Sequence, residues 1–288
     1  VADAPRCAAI VPTLDRPADL AACLASLAAA RPPFARIVVA DQGADGGPAA
    51  LAARHGATHL HLEQRGLSRA RNAALARADE PWRYFPDDDC TVAPDILARV
   101  GEALARHPGA AFVAARVLTP AGRPVMDGMD ERERALADPR DVLATVMSPG
   151  LFVSAAALAK AGGFDERFGV GAEWPSGEES DLLFRVLASG ATGVYAPAAV
   201  VTHPDPFLVR DETAQRRRAR LYGRGWGALF AKHAADPQFM ALQRRYETRA
   251  LGGAVVSLLT LRPARARRQW QTWLGRREGW RGWHAANG

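Results

Sequence analysis

The chain has 288 residues, about twice the length of an ordinary domain, with 48% apolar and 24% charged residues, which is enough to bury a core. Those proportions exclude disordered, collagen-like and coiled-coil classes. The net charge of +6 hides a split: residues 207–288 carry 17 Lys/Arg against 5 Asp/Glu (net +12) and five of the seven tryptophans, while residues 1–206 carry 20 against 26 (net −6), so the tail is expected to meet something anionic.

Strand and helix patterns alternate from the start. Ala8–Val11 is a short apolar run stopped at Pro12 and predicts a buried strand. Pro17–Ala30 has Leu20, Cys23, Leu24 and Leu27 at helical spacing behind a proline suited to a first turn. Ile37–Ala40 predicts a second buried strand ending at Asp41, and Gly43, Gly46 and Gly47 turn the chain after it. Pro48–His55 reads as a helix, Thr58–Leu62 as a third strand, and Ser68 as the cap of a helix reaching Ala78. Trp82–Phe85 is a fourth strand running into Pro86-Asp87-Asp88-Asp89, followed by a helix over Ala93–Arg106 and a strand over Ala110–Val117. Such a βαβα run predicts a mostly parallel sheet covered by helices.

Thr119–Arg140, rich in Gly, Pro and charge, reads as a loop with at most a short helix. A strand over Gly150–Ser154, an Ala-rich helix closing at Gly162-Gly163 and a shaped loop over Phe164–Pro175 follow. Glu178–Ser189 predicts a helix that buries Leu182, Leu183, Val186 and Leu187, and Gly193–Tyr195 and Ala199–Thr202 are strand-like. From Leu208 the pattern is helical and basic, with a break near Pro237. The longest apolar run, Ala250–Leu261, has twelve residues including two Gly, a Ser and a Thr. A membrane span needs about 20, so none is expected. Cys7, Cys23 and Cys90 are odd in number and lack CxxC spacing, which points away from a disulfide framework or zinc knuckle and toward a reducing cytosol. Val1–Arg6 has no signal-peptide shape.

Ligands of open α/β sheets bind beyond the carboxyl ends of the strands. Polar residues end three of the predicted strands, so one crevice is expected to collect Thr13, Asp41, Asp87 and Asp89. Asp41 reads equally well as a turn residue before glycine. The triple aspartate says more, because adjacent carboxylates repel and hard cations such as Mg2+ and Mn2+ take carboxylate oxygens. In extended backbone Asp87 and Asp89 point to the same side; a solvated acidic loop is the plain alternative. Arg69 and Arg71 open a helix after a strand and together suit a pyrophosphate, although either alone reads as a surface charge. Glu178, Glu179 and Asp181 at a helix start offer a general base, but Ser176 and Glu179 have capping-box spacing and acids in a first turn also answer the helix dipole. His203, before Pro204, is either a metal ligand or a strand-end histidine.

Taken in order, these segments resemble the family 2 glycosyltransferases, inverting enzymes of the GT-A fold. The resemblance rests on Ile10-Val11-Pro12-Thr13 with Arg16-Pro17, Val38-Val39-Ala40-Asp41-Gln42-Gly43, Gly66-Leu67-Ser68-Arg69-Ala70-Arg71-Asn72, Phe85-Pro86-Asp87-Asp88-Asp89-Cys90, Gly162-Gly163-Phe164-Asp165-Glu166, Gly177-Glu178-Glu179-Ser180-Asp181-Leu182, and Pro197 with His203. It spans about residues 6–205. It implies a Rossmann-like GT-A domain over residues 1–206, with a nucleotide-sugar half at about 6–117 and an acceptor half at about 118–206, and a helical basic extension over 207–288. It implies that Thr13, Asp15, Asp41, Arg71, Asp87 and Asp88 meet the nucleotide-sugar. It also implies a DXD motif in which Asp89 and Asp87, with His203, hold Mn2+ or Mg2+. The family's base sits in a Glu-Asp pair; here the pair is Glu178-Glu179, which leaves Glu179, Asp181 and Glu178 open for the role. Leu14-Asp15 also departs from the aromatic and Asn common in the family.

The implied reaction moves a sugar from a nucleotide-diphosphate donor to a hydroxyl of a glycan or lipid-linked acceptor, with inversion and without a covalent intermediate. Trp174, just before the acids, either stacks on the acceptor sugar or packs within its loop. In the tail, Arg216-Arg217-Arg218, Arg220, Arg224, Arg262, Arg265, Arg267 and Arg268 lie among Trp226, Trp270, Trp273, Trp280 and Trp283. Such helices lie in an anionic membrane interface or pack as a subdomain with a solvated basic face. The expectation is a cytoplasmic enzyme, peripheral on the inner membrane face, without a nucleic-acid partner. A nucleotidyltransferase is disfavoured because Pro12-Thr13-Leu14-Asp15 stands where its Gly-rich phosphate loop would be. A haloacid-type phosphatase would need a DxDxT after its first strand. A catalytically inactive nucleotide-sugar- or carbohydrate-binding relative is the non-enzyme rival.

Overall fold

A computed structural model describes residues 3–44, 46–205 and 211–287. The chain divides into two compact units, Val1–Phe164 with Leu182–Pro206 and Asp165–Asp181 with Phe207–Gly288. The predicted boundary at 206/207, and Leu208 where the basic helical pattern begins, lie outside the described residues.

All the strands belong to the first unit. In order come β1 (Cys7–Thr13), α1 (Pro17–Ala29), β2 (Arg36–Asp41), α2 (Gly47–Arg54), β3 (Thr58–His61), α3 (Leu67–Leu75), β4 (Trp82–Tyr84), β5 (Thr91–Val92), α4 (Ile96–Arg106), β6 (Phe112–Leu118), β7 (Arg134–Leu136), α5 (Pro139–Thr145), β8 (Leu151–Ser154), α6 (Ala155–Ala161), α7 (Glu178–Ala188) and β9 (Gly193–Thr202). The sheet order is β3-β2-β1-β4-β8-β6-β9-β5, with β7 also on β9. β1 to β4 run parallel, β8 reverses between β4 and β6, and β9 is parallel to β6, so six of the nine strands share one direction. This is the mostly parallel sheet that the alternating pattern predicts. β1 is buried at all seven positions, as a strand covered on both faces must be. α1 buries Leu20, Cys23, Leu24 and Leu27, the stripe read from their spacing. All three cysteines are buried and free.

Several details differ from the sequence reading. Thr119–Arg140 contains β7, and β5 precedes α4; both strands are too short to display a period. β5 delays α4 to Ile96, because Thr91 and Val92 pair with Thr202 and Val201 and the Ala93 amide donates to the Val200 carbonyl. Ser68 is not a cap: α3 starts after Gly66, at φ 139, and Ser68 is buried inside the helix. The two strand-like pieces near the end are one strand. Ala115 pairs Ala196 and Arg116 pairs Val200, so Pro197, Ala198 and Ala199 bulge out of the ladder. A proline, with no amide to donate, suits that place.

The second unit contains α8 (Glu212–Lys232), α9 (Pro237–Leu259) and α10 (Pro263–Asn287). The break expected near Pro237 is present, with Asp236 capping α9 and Asp211 capping α8. α8 and α10 meet backbone to backbone. A Cβ on Gly227 or Gly279 would overlap the Arg276 or Arg224 carbonyl, and one on Gly223 or Gly275 would collide with Thr272 or Arg220. Most tail tryptophans serve packing. Trp226 stacks on Tyr246 with ring centroids 5.6 Å apart, and Trp283 lies 5.6 Å from Phe168 and 6.3 Å from Trp174. Of the five, only Trp270 is exposed.

Two glycines of this unit therefore respond in opposite ways to one methyl group. Gly279→Ala is expected to destabilise by about 1–3 kcal/mol through overpacking. Gly252→Ala, with nothing within 4 Å of the added carbon on an exposed turn of α9, is expected to stabilise by about 0.5–1 kcal/mol. Urea denaturation followed by circular dichroism measures both.

Candidate active site

The acids after β4 are held one by one. Arg71, fully buried in α3, donates to Asp87 Oδ1 at 3.0 Å and to the Ser148 hydroxyl, and its guanidinium lies 5.3 Å from the Phe164 ring centroid. Thr13 donates its hydroxyl to Asp88 Oδ2 at 2.8 Å, and Arg16 Nη1 reaches Asp88 Oδ1 at 3.3 Å and Asp89 Oδ2 at 3.1 Å. Burial lifts the Asp88 carboxyl to about 6, against the pull of Thr13 and Arg16. Asp89 goes the other way: the His203 imidazole beside it, with Arg16, holds it below the ordinary carboxylate value despite burial. Burial lowers the pKa of His203, but Asp89 and Asp87 outweigh it and raise that pKa.

The donor set fits a divalent cation. One donor atom each from Asp87, Asp89 and His203 lies within 4.8 Å of the others. His203 Nε2 is 3.3 Å from Asp89 Oδ1 and 3.8 Å from Asp87 Oδ2. The 3.3 Å approach lacks hydrogen-bond geometry, so Asp89 Oδ1 is buried with no hydrogen-bond partner. The other ring nitrogen, Nδ1, is turned to the Pro204 carbonyl, which fixes the tautomer and points Nε2 at the acids. Two carboxylates and an imidazole suit Mn2+ or Mg2+. β5 supplies the register: Thr91 pairs Thr202, so the residues just after Asp89 are tied to the residue just before His203.

Asp41 ends β2 opposite Thr13 in the β1 register. Its buried carboxylate accepts from the Gly43 amide at 2.8 Å and faces His59 Nε2 at 3.1 Å and His61 Nδ1 at 3.8 Å. A Cβ on Gly43 would come within 2.8 Å of Asp15 Oδ1 and 3.1 Å of Asp41 Oδ1, so glycine lets the two acids converge. Asp15 is exposed, in left-handed backbone at φ 56, and 3.9 Å from Arg65. Arg16, His59 and Ser148 are site residues that the sequence reading misses. Arg16 stands in the first of the family-like motifs and His59 three residues before the end of the predicted third strand, whereas nothing in the sequence marks Ser148.

The remaining candidates belong to the second unit. The Gly177 carbonyl accepts from the Asp181 amide, so Gly177, not Ser176, caps α7, and the Ser176 hydroxyl donates to the Tyr222 carbonyl. The predicted Ser176–Glu179 capping box is out of register by one residue. Asp181 is fully buried, 2.6 Å from Lys232 Nζ and 2.8 Å from His233 Nε2. Lys232 also reaches Asp165 at 2.8 Å; burial there raises the carboxyl pKa, but Arg167 and Lys232 override it and hold it well below the ordinary range. Glu178 is buried and Glu179 half-buried. Trp174 is 3% exposed, with the Arg224 guanidinium 5.8 Å from its ring and Trp283 beside it, so its ring follows the packing alternative.

Asp181→Asn should leave Lys232 and His233 facing a neutral group and destabilise by about 3–5 kcal/mol. Urea denaturation reads the loss. The depressed Asp165 pKa contributes stability that is complete above the unfolded-state value of about 4 and is lost as pH falls below it. The melting temperature should therefore fall between about pH 5 and pH 3, and fall less in Asp165→Asn.

Residues 8–145 match the family described as Glycosyl transferase family 2. The pre-mycofactocin glycosyltransferase of Mycobacterium tuberculosis is 30% identical over 185 residues, covering 60% of this chain and 37% of that protein, so the chain spans well under half of that relative. Among solved structures, a mannosyltransferase from Pyrobaculum calidifontis in complex with GDP-Man and Mn2+ superposes with a TM-score of 0.65 at 17% identity, over 96% of this chain and 87% of that one. S. aureus TarS 1-349 in complex with UDP superposes with a TM-score of 0.57 at 18% identity, over 96% and 92%. The order of motifs, the sheet and these likenesses agree: the chain carries a glycosyl transferase family 2 domain on a GT-A fold.

Proposed function

We propose that the protein transfers a sugar from a nucleotide-diphosphate donor to a hydroxyl of a glycan or lipid-linked acceptor, in one inverting displacement that depends on a divalent cation. The observation that carries this reading is the convergence of Asp87, Asp89 and His203 beside the end of β4, with Asp89 Oδ1 buried and lacking a hydrogen bond. Asp89, His203 and Asp87 would hold Mn2+ or Mg2+, which when bound supplies positive charge for the departing diphosphate. The complexes of the Pyrobaculum mannosyltransferase with GDP-Man and Mn2+ and of TarS with UDP support a donor of this class.

The chain's own residues divide the work. Thr13, Asp15 and Asp41 lie at the ends of β1 and β2, where a nucleoside would be read, with Asp41 steadied by His59 and the Gly43 amide. Arg71 fixes Asp87 from inside the fold. Arg16, 53% exposed and bridging Asp88 and Asp89, keeps guanidinium surface for the negative charge that develops as the diphosphate leaves. Glu179 is the base: of the three acids opening α7 it is the one not buried, and Asp181 is committed to Lys232 and His233. Glu179 takes the proton of the acceptor hydroxyl as that oxygen attacks the anomeric carbon. The nucleoside diphosphate leaves from the opposite face with the bonding pair, and the configuration inverts. Trp174 shapes the acceptor loop through its packing. No helix among the described residues is long and apolar enough to cross a membrane, and we place the enzyme peripherally on the cytoplasmic face of one.

Thermal shift with nucleoside diphosphates and nucleotide-sugars, with and without Mn2+ or Mg2+, should reveal one nucleotide whose stabilisation depends on the cation. Asp89→Asn should lose the cation-dependent part of that shift. Glu179→Gln should keep the shift and lower release of nucleoside diphosphate by about 10²–10⁴-fold. Stabilisation by a nucleotide-sugar without turnover on any acceptor would favour an inactive binding protein, and stabilisation by none would overturn the donor assignment.

A further inference from the structure

The apolar run Ala250–Leu261 lies in the last turns of α9 and the turn into α10. One stripe of it is covered. Ala250, Ala254 and Ser257 are buried, a Cβ on Gly253 would meet the Gln269 side chain, and the Ser257 hydroxyl donates to Gln269 Oε1 at 3.0 Å. The large side chains face outward: Leu251, Val255, Val256, Leu258, Leu259 and Leu261 are 40–89% exposed, with Leu259 at 78% and Leu261 at 89%. Single exposed aliphatics are ordinary on a surface, but six on adjacent turns form a patch. The apex is unusual in a second way. Leu261 follows the C-cap Thr260 in left-handed backbone at φ 54, a place that glycine or asparagine ordinarily takes.

The stretch of sequence that carries the patch is of one sign. Residues 251–270 contain four arginines and no acidic residue. Arg262, Arg265, Arg267 and Arg268 are all exposed, although Arg267 also pairs with Glu212 and Arg268 with Gln215. Trp270, the exposed tail tryptophan, follows them. Aliphatic residues at a tip, arginines beside them and an indole at their edge match the layers of a bilayer surface: acyl chains, phosphates and the interface between them. A second copy of this chain fits poorly, because a symmetric contact would bring the two arginine groups together.

We propose that the α9–α10 tip is a membrane-docking surface. It seats Leu258, Leu259 and Leu261 below the headgroups of an anionic bilayer, with Arg262, Arg265 and Arg268 on lipid phosphates. The assignment is narrower than the whole basic extension, since Trp226, Trp273, Trp280 and Trp283 are at least half-buried within the helices. It stands apart from the proposed reaction, because it uses none of that site's residues.

Flotation of the full chain tests it, with extruded vesicles of phosphatidylcholine alone or mixed with phosphatidylglycerol. Wild type should float with the mixed vesicles and less with phosphatidylcholine. The double variant Leu259→Glu, Leu261→Glu should lower the partition by about tenfold or more. Arg265→Ala with Arg268→Ala should remove the preference for anionic lipid. Leu261→Gly should keep or raise the melting temperature while weakening flotation, which separates lipid contact from unfolding. Equal flotation of wild type and the double glutamate variant, or none by wild type, overturns the proposal. So does a dimer in light scattering that the double glutamate variant dissociates.

Discussion

Three carboxylates in a row cannot stand at the end of a buried strand unless each is answered separately. Asp87 is answered by a buried arginine from α3, Asp88 by the hydroxyl that ends β1 together with Arg16, and Asp89 by Arg16 and by the histidine after β9. That requirement gathers four distant stretches of sequence at one place. It also leaves the three acids chemically different. Asp88, mostly removed from water, keeps its proton to a higher pH than an ordinary carboxyl, whereas Asp89 stays ionised beside the imidazole. The neutralising groups are a hydroxyl, two arginines and a histidine, and within this run of acids Asp89 Oδ1 is buried without a hydrogen bond. In a site of low dielectric, such an oxygen is where a cation gains most.

What the sequence made legible follows from period and punctuation. β1, β2 and β4 are apolar runs stopped by polar residues, and α1 declares its buried face through Leu20, Cys23, Leu24 and Leu27. The strand ends predict one crevice for Thr13, Asp41, Asp87 and Asp89; in the structure Asp41 lies opposite Thr13 in the β1–β2 register, Thr13 donates to Asp88, and the acids on either side of Asp88 converge with His203. The misses share a cause, which is that their signals are made by partners far along the chain. β5 and β7 are strands only because β9 lies beside them. Ser68 and Ser176 have the composition of caps, but a glycine two residues before the first and one residue after the second takes the terminal position. Asp181 looks like its neighbours Glu178 and Glu179 until Lys232 and His233, about fifty residues away, close on it.

The basic tail reads differently once its glycines are taken into account. Gly223, Gly227, Gly275 and Gly279 let α8 and α10 approach until main chains touch, and the large rings are displaced to the margins of that contact. Tryptophan was the residue that made the tail look interfacial, and it is mostly internal mortar. The apolar surface that remains is aliphatic and lies at the opposite end of α9 from its cap. The twelve-residue apolar run, too short to span a bilayer, carries most of the exposed aliphatic surface of the extension.

The bulge at Pro197–Ala199 has a meaning for how such a chain can change over generations. Downstream of it, Val200, Val201 and Thr202 pair with β6, and Val201 and Thr202 also pair with β5, so two residues are clamped from both sides just before His203. Upstream, β9 keeps its own register with β6 and β7. Three residues outside the ladder act as slack between the two registers. A lineage can lengthen or shorten the chain there and the difference is absorbed in the slack, leaving the imidazole in phase with the aspartates. The histidine's address is thus written locally, by its neighbours across the sheet, and not by the count of residues that precede it.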